Sequence, residues 1–303
     1  MENPLVSVVI VSFNKKDLLK KAINSVYNQT YKNLELIVID NNSTDGSINL
    51  VVNEYPSIRH IVMPNSGYGA CETINIGMAS ARGEFIVVMD DDATLNDNWI
   101  TILVEKFSTD DNLGVICGKV INAFSNKVEW LYARPIDEWV SKEFKTSHFH
   151  GAATGFRKSI LDKIKYYDED YFIYVNEPVL GAKIVNSGYA VIFYPDLISY
   201  HNTHIRNPNK RSFYFLTRNH LWYVWTYFNL TLLIDTTTKI LIISALSSIK
   251  RGYFFTYLKA IFSAIAMLPK IIAIRKPLPN NVIDHPIQSN SWNDIFKKIL
   301  MRS

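Results

Sequence analysis

The chain has 303 residues, of which 48% are apolar and 20% charged, a composition that excludes a mini-protein and a disordered chain. Its two cysteines, Cys71 and Cys117, provide neither a disulfide framework nor the spacing of a metal site. The first apolar run, residues 6–11, is too short for a signal peptide or a membrane span. We therefore expect an unexported protein in a reducing cytoplasm.

Four apolar runs in the first ninety residues predict buried strands, at residues 6–11, 34–39, 58–63 and 85–89. Helical patterns separate them, and this alternation predicts a three-layer α/β domain with a mostly parallel sheet. The carboxyl ends of parallel strands meet at one edge of a sheet. Asp40, Asn65 and Asp90 are therefore expected to lie together there.

Three consecutive aspartates, Asp90, Asp91 and Asp92, follow the fourth strand. Like charges this close raise one another's pKa unless a cation or a substrate compensates them. The cluster is thus interpreted as a site for a metal and a diphosphate. The alternative is a solvated acidic turn that caps a helix starting near Asn96, since Asp is common in turns.

After residue 106 the pattern is less regular. It predicts strands at 114–120 and 190–194 and helices at 159–164 and from Glu177 to about 186, while residues 130–150 have no clear period. His148 and His150 in that stretch could contact the donor or the acceptor, but they are interpreted as a solvated loop pair, which is the more common case. His201 follows the last strand, where a lone histidine is more often a surface or core residue than a ligand.

The carboxyl-terminal part is apolar and basic. From His204 onward it has fourteen Lys and Arg against three Asp, and its apolar stretches at 230–249 and 253–274 are interrupted by charges. This pattern favours helices that lie on an anionic membrane leaflet. A packed helical subdomain and a membrane span remain alternatives. We predict two domains, 1–215 and 216–303.

Four segments, taken in order, resemble the family 2 glycosyltransferases with the GT-A fold. Their sequences are VVIVSFN at 8–14, VIDNNSTDG at 38–46, NSGYG at 65–69 and DDD at 90–92. The GAATGFR segment at 151–157, the stretch 171–180 and Arg218-Asn219 resemble a rhamnosyltransferase-like bacterial group within that family. The resemblance covers about two thirds of the chain.

The resemblance implies a nucleotide-sugar donor, a divalent metal and a general base. Glu177 would be the base of an inverting transfer, because it would take the proton of the acceptor hydroxyl. Asp90, Asp92 and His201 would hold Mn²⁺ or Mg²⁺, a hard cation that neutralises the leaving diphosphate. The donor would contact Ser12, Asn14, Asp40, Asn65, Gly67, Asp91 and Arg157.

Two features limit the rival functions. The turn after the first strand lacks the Gly-x-Gly-x-x-Gly pattern, which argues against hydride and methyl transfer. The basic residues of the carboxyl-terminal part are interleaved with apolar ones, which argues against nucleic acid. However, Val179 replaces the second acid of the family segment around Glu177, so a catalytically silent binding or scaffold protein remains an alternative.

The sequence therefore predicts a cytoplasmic, membrane-peripheral inverting glycosyltransferase. The predicted donor is dTDP-rhamnose or a UDP-hexose, and the predicted acceptor is a growing, lipid-linked bacterial surface glycan. A homo-oligomer is compatible with the sequence.

Overall fold

The computed structural model describes residues 3–204, 208–279 and 283. Among these residues are nine strands, eleven helices and one 3-10 turn, Glu169–Tyr171. The strands are β1 (Val6–Ser12), β2 (Leu34–Asp40), β3 (Arg59–Val62), β4 (Phe85–Asp90), β5 (Ala93–Leu95), β6 (Leu113–Asn122), β7 (Phe144–Thr146), β8 (Ala153–Arg157) and β9 (Ala190–His201). The helices are α1 (Lys16–Tyr27), α2 (Ser47–Glu54), α3 (Ala70–Ser80), α4 (Trp99–Thr109), α5 (Ile136–Trp139), α6 (Lys158–Ile164), α7 (Asn176–Asn186), α8 (Lys210–Tyr227), α9 (Leu230–Arg251), α10 (Phe254–Ala266) and α11 (Leu268–Ile274).

The described strands form one sheet in the order β3-β2-β1-β4-β8-β6-β9-β5, with β7 paired to β9. β1 is parallel to both β2 and β4, β2 is parallel to β3, and β6 is parallel to β9. β8 runs antiparallel between β4 and β6, and β5 and β7 run antiparallel to β9. Six of these nine strands thus point the same way, which confirms the predicted mostly parallel sheet.

Helices bury both faces of the sheet. Along β1, Val8 and Ile10 belong to one core cluster and Val9 to the other, because successive side chains of a strand point to opposite faces. The first cluster includes side chains of α1 and α4, and the second includes side chains of α3, α7 and α8. This three-layer arrangement explains why the central strands β1 and β4 are apolar at most positions, on both faces.

Several boundaries differ from the sequence prediction. The last strand, predicted at 190–194 with His201 after it, continues as β9 to His201 itself. The helix expected near Asn96 begins at Trp99, because the short strand β5 occupies residues 93–95. The unassigned stretch 130–150 contains α5 and β7. The predicted boundary at residue 215 falls inside α8, and the division into two domains stays a prediction.

The carboxyl-terminal helices differ in how deeply they are buried. Leu221 and Val224 of α8 are fully buried in the core, whereas α9, α10 and α11 keep large apolar side chains exposed. Among the described residues, α9 is long and apolar enough to cross a membrane, and α10 with α11, bent by 48°, meets the same test as a pair. Length and composition alone are weak grounds for a span. The exposed side chains include Leu230, Ile234, Ile249, Phe255, Phe262, Ile265 and Ile272.

Candidate functional site

The carboxyl ends of the parallel strands lie in register at one edge of the sheet. Ser12, the last residue of β1, pairs with Asp40 of β2, and Asp40 in turn pairs with Val62 of β3. On the other side, Val11 pairs with Asp90 of β4. The loops after these strands, which carry most of the residues assigned from the resemblance, therefore meet.

The loop after β1 is locked to the loop after β2. Asn14, which adopts a left-handed φ of 53°, donates from its N–H to Ser43 Oγ at 2.9 Å. Its Oδ1 accepts the N–H of Thr44 at 2.8 Å. Asparagine tolerates this conformation better than most residues. The Asn14 side chain therefore shapes the edge of the site by holding the two loops together.

Among the polar atoms at this edge that are buried without a hydrogen bond to any described residue are Ser12 Oγ and Asp40 Oδ1. The other oxygen of Asp40 accepts the N–H of Ser43 at 2.8 Å. A buried polar atom without a partner costs about 1–3 kcal/mol. A ligand with polar groups would satisfy both atoms, which fits the predicted donor contacts.

Asn65 and Gly67 lie in the exposed loop after β3. Asn65 Oδ1 accepts the N–H of Gly67 at 2.9 Å, so the asparagine closes its own turn. A Cβ at Gly67 would lie only 2.8 Å from that oxygen, and a side chain would therefore disturb the turn. The loop is at the predicted edge, and its contacts with a donor stay a prediction.

Lys15 compensates two of the three aspartates, a role that the sequence analysis missed. Its Nζ lies 3.0 Å from Asp91 Oδ1 and 2.7 Å from Asp92 Oδ2. Asp91 Oδ2 also accepts the N–H of Phe13 at 2.9 Å. Both oxygens of Asp91 thus hold the loop after β1. The position of Lys15, directly after the SFN segment, was the available signal.

Burial changes the charge state of this cluster. Burial, and after it the charge of Asp92, raises the pKa of Asp90 to about 7. For Asp92 the opposite holds: burial would raise its pKa, but hydrogen bonds with His201 and Lys15 keep the pKa below its ordinary value. Asp92 is therefore ionised near neutral pH, while Asp90 takes up a proton near neutral pH.

His201 joins the aspartates because β5 begins directly after them. β5 runs antiparallel to β9 with Ala93 opposite His201, so the imidazole lies near Asp92, its Nε2 3.4 Å from Oδ1. Asp90, Asp92 and His201 each offer a ligand atom, and these atoms lie within 4.8 Å of one another. Two carboxylates and an imidazole can together hold a divalent cation, and the carboxylates are the ligand type that suits Mn²⁺ or Mg²⁺.

Glu129 fixes the orientation of the His201 ring through Nδ1, the ring nitrogen that does not face Asp92. Its Oε2 accepts from His201 Nδ1 and from His150 Nε2, each at 2.9 Å. Burial alone would lower the pKa of His201, but its bonds to Asp92 and Glu129 raise the pKa to about 10. A histidine that binds a metal is commonly fixed in this way by a carboxylate on its other nitrogen.

The sequence analysis missed Glu129, and its interpretation of His148 and His150 as a solvated pair is wrong. His148 is buried, and burial lowers its pKa to about 3, whereas His150 is bonded to Glu129. Glu129, His150 and His201 also form a group that could hold a metal ion. They come from three separate parts of the chain, which no spacing in the sequence reveals.

Glu177 is the second residue of α7 and lies beside the aspartate edge. A Cβ at Gly151 would come within 2.5 Å of its Oε1, and the next residue, Ala152, accepts the N–H of Asp90 at 3.1 Å. Burial raises the pKa of Glu177. Val179, where the family segment has its second acid, is buried in the core and leaves Glu177 as the one acid of this segment.

Arg157 does not join the site. It ends β8 opposite Phe85, the first residue of β4, so it lies at the other end of that strand from Asp90. Its guanidinium donates to the carbonyl of Phe107 at 2.7 Å and to that of Asp110 at 3.0 Å. The prediction that Arg157 contacts the donor is therefore wrong, because β8 runs antiparallel and carries its last residue away from the carboxyl edge.

The fold is shared with solved glycosyltransferases. The chain matches mannosyltransferase PcManGT from Pyrobaculum calidifontis, solved in complex with GDP-Man and Mn²⁺, with a TM-score of 0.59, 19% identity and coverage of 89% of this chain and 78% of that chain. It matches GalNAc-T7, solved with UDP, GalNAc and Mn²⁺, with a TM-score of 0.64, 17% identity and coverage of 88% and 58%. These likenesses confirm the GT-A fold.

Curated relatives match over part of their length. The probable glycosyltransferase YdaM of Bacillus subtilis is 29% identical over 219 residues, which are 66% of this chain and 51% of that protein. The GalNAc(5)-diNAcBac-PP-undecaprenol beta-1,3-glucosyltransferase of Campylobacter jejuni is 30% identical over 188 residues, 60% of each chain. This chain thus spans just over half the length of these two relatives.

The model of glycosyl transferase family 2 matches residues 7–165, which are more than half of the chain. That range begins in β1 and includes the loops of Asp40 and Asn65, the three aspartates and Glu129. The likeness therefore covers Asp90, Asp92 and the buried unsatisfied oxygens of Ser12 and Asp40, whereas His201 and Glu177 lie beyond the matched range. The chain belongs to the glycosyl transferase family 2.

Proposed function

We propose that this chain is an inverting glycosyltransferase that moves a sugar from dTDP-rhamnose or a UDP-hexose to a lipid-linked bacterial surface glycan. One observation carries the proposal: the candidate metal ligands and the unsatisfied oxygens of Ser12 and Asp40 share one edge of the sheet. The Campylobacter relative is named as a glucosyltransferase for an undecaprenol-linked glycan, which supports a lipid-linked acceptor.

The donor would lie across this edge with its nucleoside toward β1 and β2. Asp40 Oδ1 would accept a hydrogen bond from the base or the ribose, and the Ser12 hydroxyl would supply a second contact. The loop of Asn65 and Gly67 would close the site from the side of β3. Asp91 and Asn14 would act mainly by fixing the loop after β1.

The diphosphate would lie next to the aspartates. Asp90, Asp92 and His201 would hold Mn²⁺ or Mg²⁺, and this cation would supply the charge that stabilises the leaving diphosphate. Lys15 adds a fixed positive charge at the same place, because its Nζ already contacts two of the carboxylates. Glu129 keeps the His201 ring in one orientation.

Glu177 would take the proton of the acceptor hydroxyl as that oxygen attacks the anomeric carbon from the face opposite the diphosphate. Its raised pKa, caused by burial, makes the carboxylate a better proton acceptor than an exposed glutamate. Single displacement from the opposite face inverts the anomeric configuration.

A thermal-shift panel of UDP-glucose, UDP-galactose, GDP-mannose and dTDP-rhamnose, each with and without Mn²⁺, tests donor binding. A ligand present at 100 times its Kd stabilises the folded state by about 2.7 kcal/mol, so we expect a rise in Tm of a few degrees for the true donor. The rise should need Mn²⁺, and the matching nucleoside monophosphate should give little of it. A flat response to every nucleotide-sugar would contradict the proposal.

We further propose that the enzyme is peripheral on the cytoplasmic face of the membrane, held by α9, α10 and α11. Phe255 and Phe262 of α10 are 85% and 70% exposed. Lys250 and Lys259 are also exposed and would attract anionic lipid. Apolar side chains beside basic ones are typical of helices that lie in a membrane surface.

Flotation with vesicles of phosphatidylglycerol and phosphatidylethanolamine tests this surface. Burial of one phenylalanine contributes about 1.5–3 kcal/mol, so the double variant Phe255→Ser/Phe262→Ser should bind these vesicles at least about 100-fold more weakly. Both side chains are exposed, and the fold should survive. Val52→Ser, at an exposed position of α2, serves as the control and should float like the original protein. Equal flotation of all three proteins would reject the membrane surface.

A further inference from the structure

The segment that leads into α7 has an unusual backbone. Phe172 has φ 65° and ψ −60°, and the N–H of Ile173 donates to the carbonyl of Tyr171 at 2.7 Å, which closes a γ-turn. Tyr174 and Val175 follow with φ of 67° and 62°, a left-handed conformation that a β-branched residue rarely adopts. Such a backbone persists only where its surroundings hold it. Glu177 is two residues further on.

Asn219 of α8 forms hydrogen bonds with the backbone of this segment, residues 171–175. The asparagine is fully buried, so its amide can bond only to protein groups. Its Nδ2 lies 2.9, 2.8 and 2.9 Å from the carbonyl oxygens of Tyr171, Ile173 and Tyr174. One side chain thus satisfies carbonyls on both sides of the γ-turn.

Arg218 adds further hydrogen bonds to the same segment and, through Trp222, connects the segment to the carboxyl-terminal helices. Its Nε donates to Asn219 Oδ1 at 2.8 Å, and its Nη2 donates to the carbonyls of Asp170 and Tyr171 at 3.0 and 3.2 Å. The guanidinium lies 4.0 Å from the centre of the Trp222 ring, and Trp222 Nε1 donates to the carbonyl of Ala264 in α10. Arg218 and Asn219 therefore act as one unit.

The other side of the segment contacts the loop assigned to the donor. The carbonyl of Phe172 accepts the N–H of Cys71 at 3.1 Å, at the start of α3. A Cβ at Gly69 would lie 2.6 Å from that same oxygen, so the backbones meet without room for a side chain. Residues 171–175 thus lie between the 65–69 loop and Glu177.

We propose that Arg218 and Asn219 are positioning residues: by holding residues 171–175 in this strained form, they aim the Glu177 carboxylate at the acceptor hydroxyl. This inference rests on the proposed role of Glu177 as the base. In this inference α8 has a second role besides packing. The same helix contacts α10, one of the proposed membrane-binding helices, and residues 171–175, which precede Glu177.

The test compares Asn219→Ala with Thr226→Ala, which removes another buried side chain of α8 whose hydroxyl donates to the carbonyl of Trp222 rather than to residues 171–175. The donor is the nucleotide-sugar with the largest thermal shift, and transfer to an undecaprenyl-diphosphate-linked glycan is followed by nucleoside diphosphate release. We expect Asn219→Ala to lower kcat at least 10-fold with a donor Kd within about 2-fold of the original. Thr226→Ala should change kcat less than 2-fold at a similar loss of Tm.

A double-mutant cycle separates positioning from general destabilisation. If Asn219 acts through Glu177, adding Asn219→Ala to Glu177→Gln should slow transfer no further, whereas independent effects would multiply. Multiplied losses, or equal losses for Asn219→Ala and Thr226→Ala, would overturn the inference.

Amide hydrogen exchange checks the structural half of the inference without any turnover. Residues 171–175 should exchange faster in Asn219→Ala than in Thr226→Ala, and unchanged exchange would also overturn the inference. Normal turnover of Glu177→Gln is a different result, because it would remove the base from the proposed function itself. The two failures are therefore distinguishable.

Discussion

Replacing Asp92 with asparagine is expected to lower the rate of sugar transfer by roughly two to three orders of magnitude, the loss typical when charge stabilisation of a transition state is removed. Asp92 contacts Lys15 at 2.7 Å and approaches His201 at 3.4 Å, and it shares a candidate metal site with Asp90. Asparagine keeps the shape but loses the negative charge. The affinity for Mn²⁺, measured by titration of the free protein, should therefore fall with the rate.

Asp91→Asn is the matched control for this experiment. Asp91 lies next to Asp92 and also contacts Lys15, but its other oxygen is bonded to the N–H of Phe13 and the residue is outside the candidate metal group. The change should weaken donor binding through the loop after β1 and leave Mn²⁺ affinity within about 3-fold of the original. A larger loss of Mn²⁺ affinity in Asp91→Asn than in Asp92→Asn would reverse the assignment of the metal ligands.

The sequence predicts those parts of the fold that depend on local pattern. β1, β2 and β4 follow from continuous apolar runs, because a strand covered by helices on both faces has no polar side to display. Parallel pairing then places Asp40 and Asp90 at one edge. The same reasoning fails for Arg157, since nothing in the GAATGFR segment reveals that β8 runs antiparallel and points its last residue to the opposite edge.

The parts that could not be predicted are contacts between distant segments. Glu129 joins His201 across 72 residues and His150 across 21, from a stretch without periodicity. Asn219 reaches carbonyls at a separation of 45 to 48 residues. These bonds depend on how β6, β9 and α8 pack, and that packing cannot be predicted from the spacing of residues in the sequence.

The second large effect is expected for Glu177→Gln. A positioned general base contributes about 10²–10⁴-fold to a rate, and glutamine keeps the size of glutamate but cannot accept the proton. Glu177 Oε1 accepts a hydrogen bond from Asn176 Nδ2 at 3.1 Å, and glutamine retains an oxygen for that bond. We therefore expect kcat to fall by that range while the donor-induced rise in Tm persists.

Glu169→Gln provides the control, because this glutamate is exposed in the 3-10 turn of the same region and undergoes the same change of charge. Its kcat should stay within about 2-fold of the original. If Glu177→Gln turns over as fast as Glu169→Gln, Glu177 is not the base. If neither the original protein nor any variant releases nucleoside diphosphate from a bound donor, the catalytically silent alternative holds.

The pH dependence of the transfer rate is an independent test of Glu177 as the base. The base works as a carboxylate, and burial raises the pKa of Glu177 above its ordinary value of 4.5. The rate of transfer should therefore be maximal above the raised pKa and should decline as the pH falls through that pKa. This decline should occur at a higher pH than it would for an exposed glutamate. Glutamine does not titrate, so the residual rate of Glu177→Gln should lack this acidic limb, provided that metal is saturating. An unchanged limb in the variant would assign the titration to another group and would remove Glu177 from proton transfer.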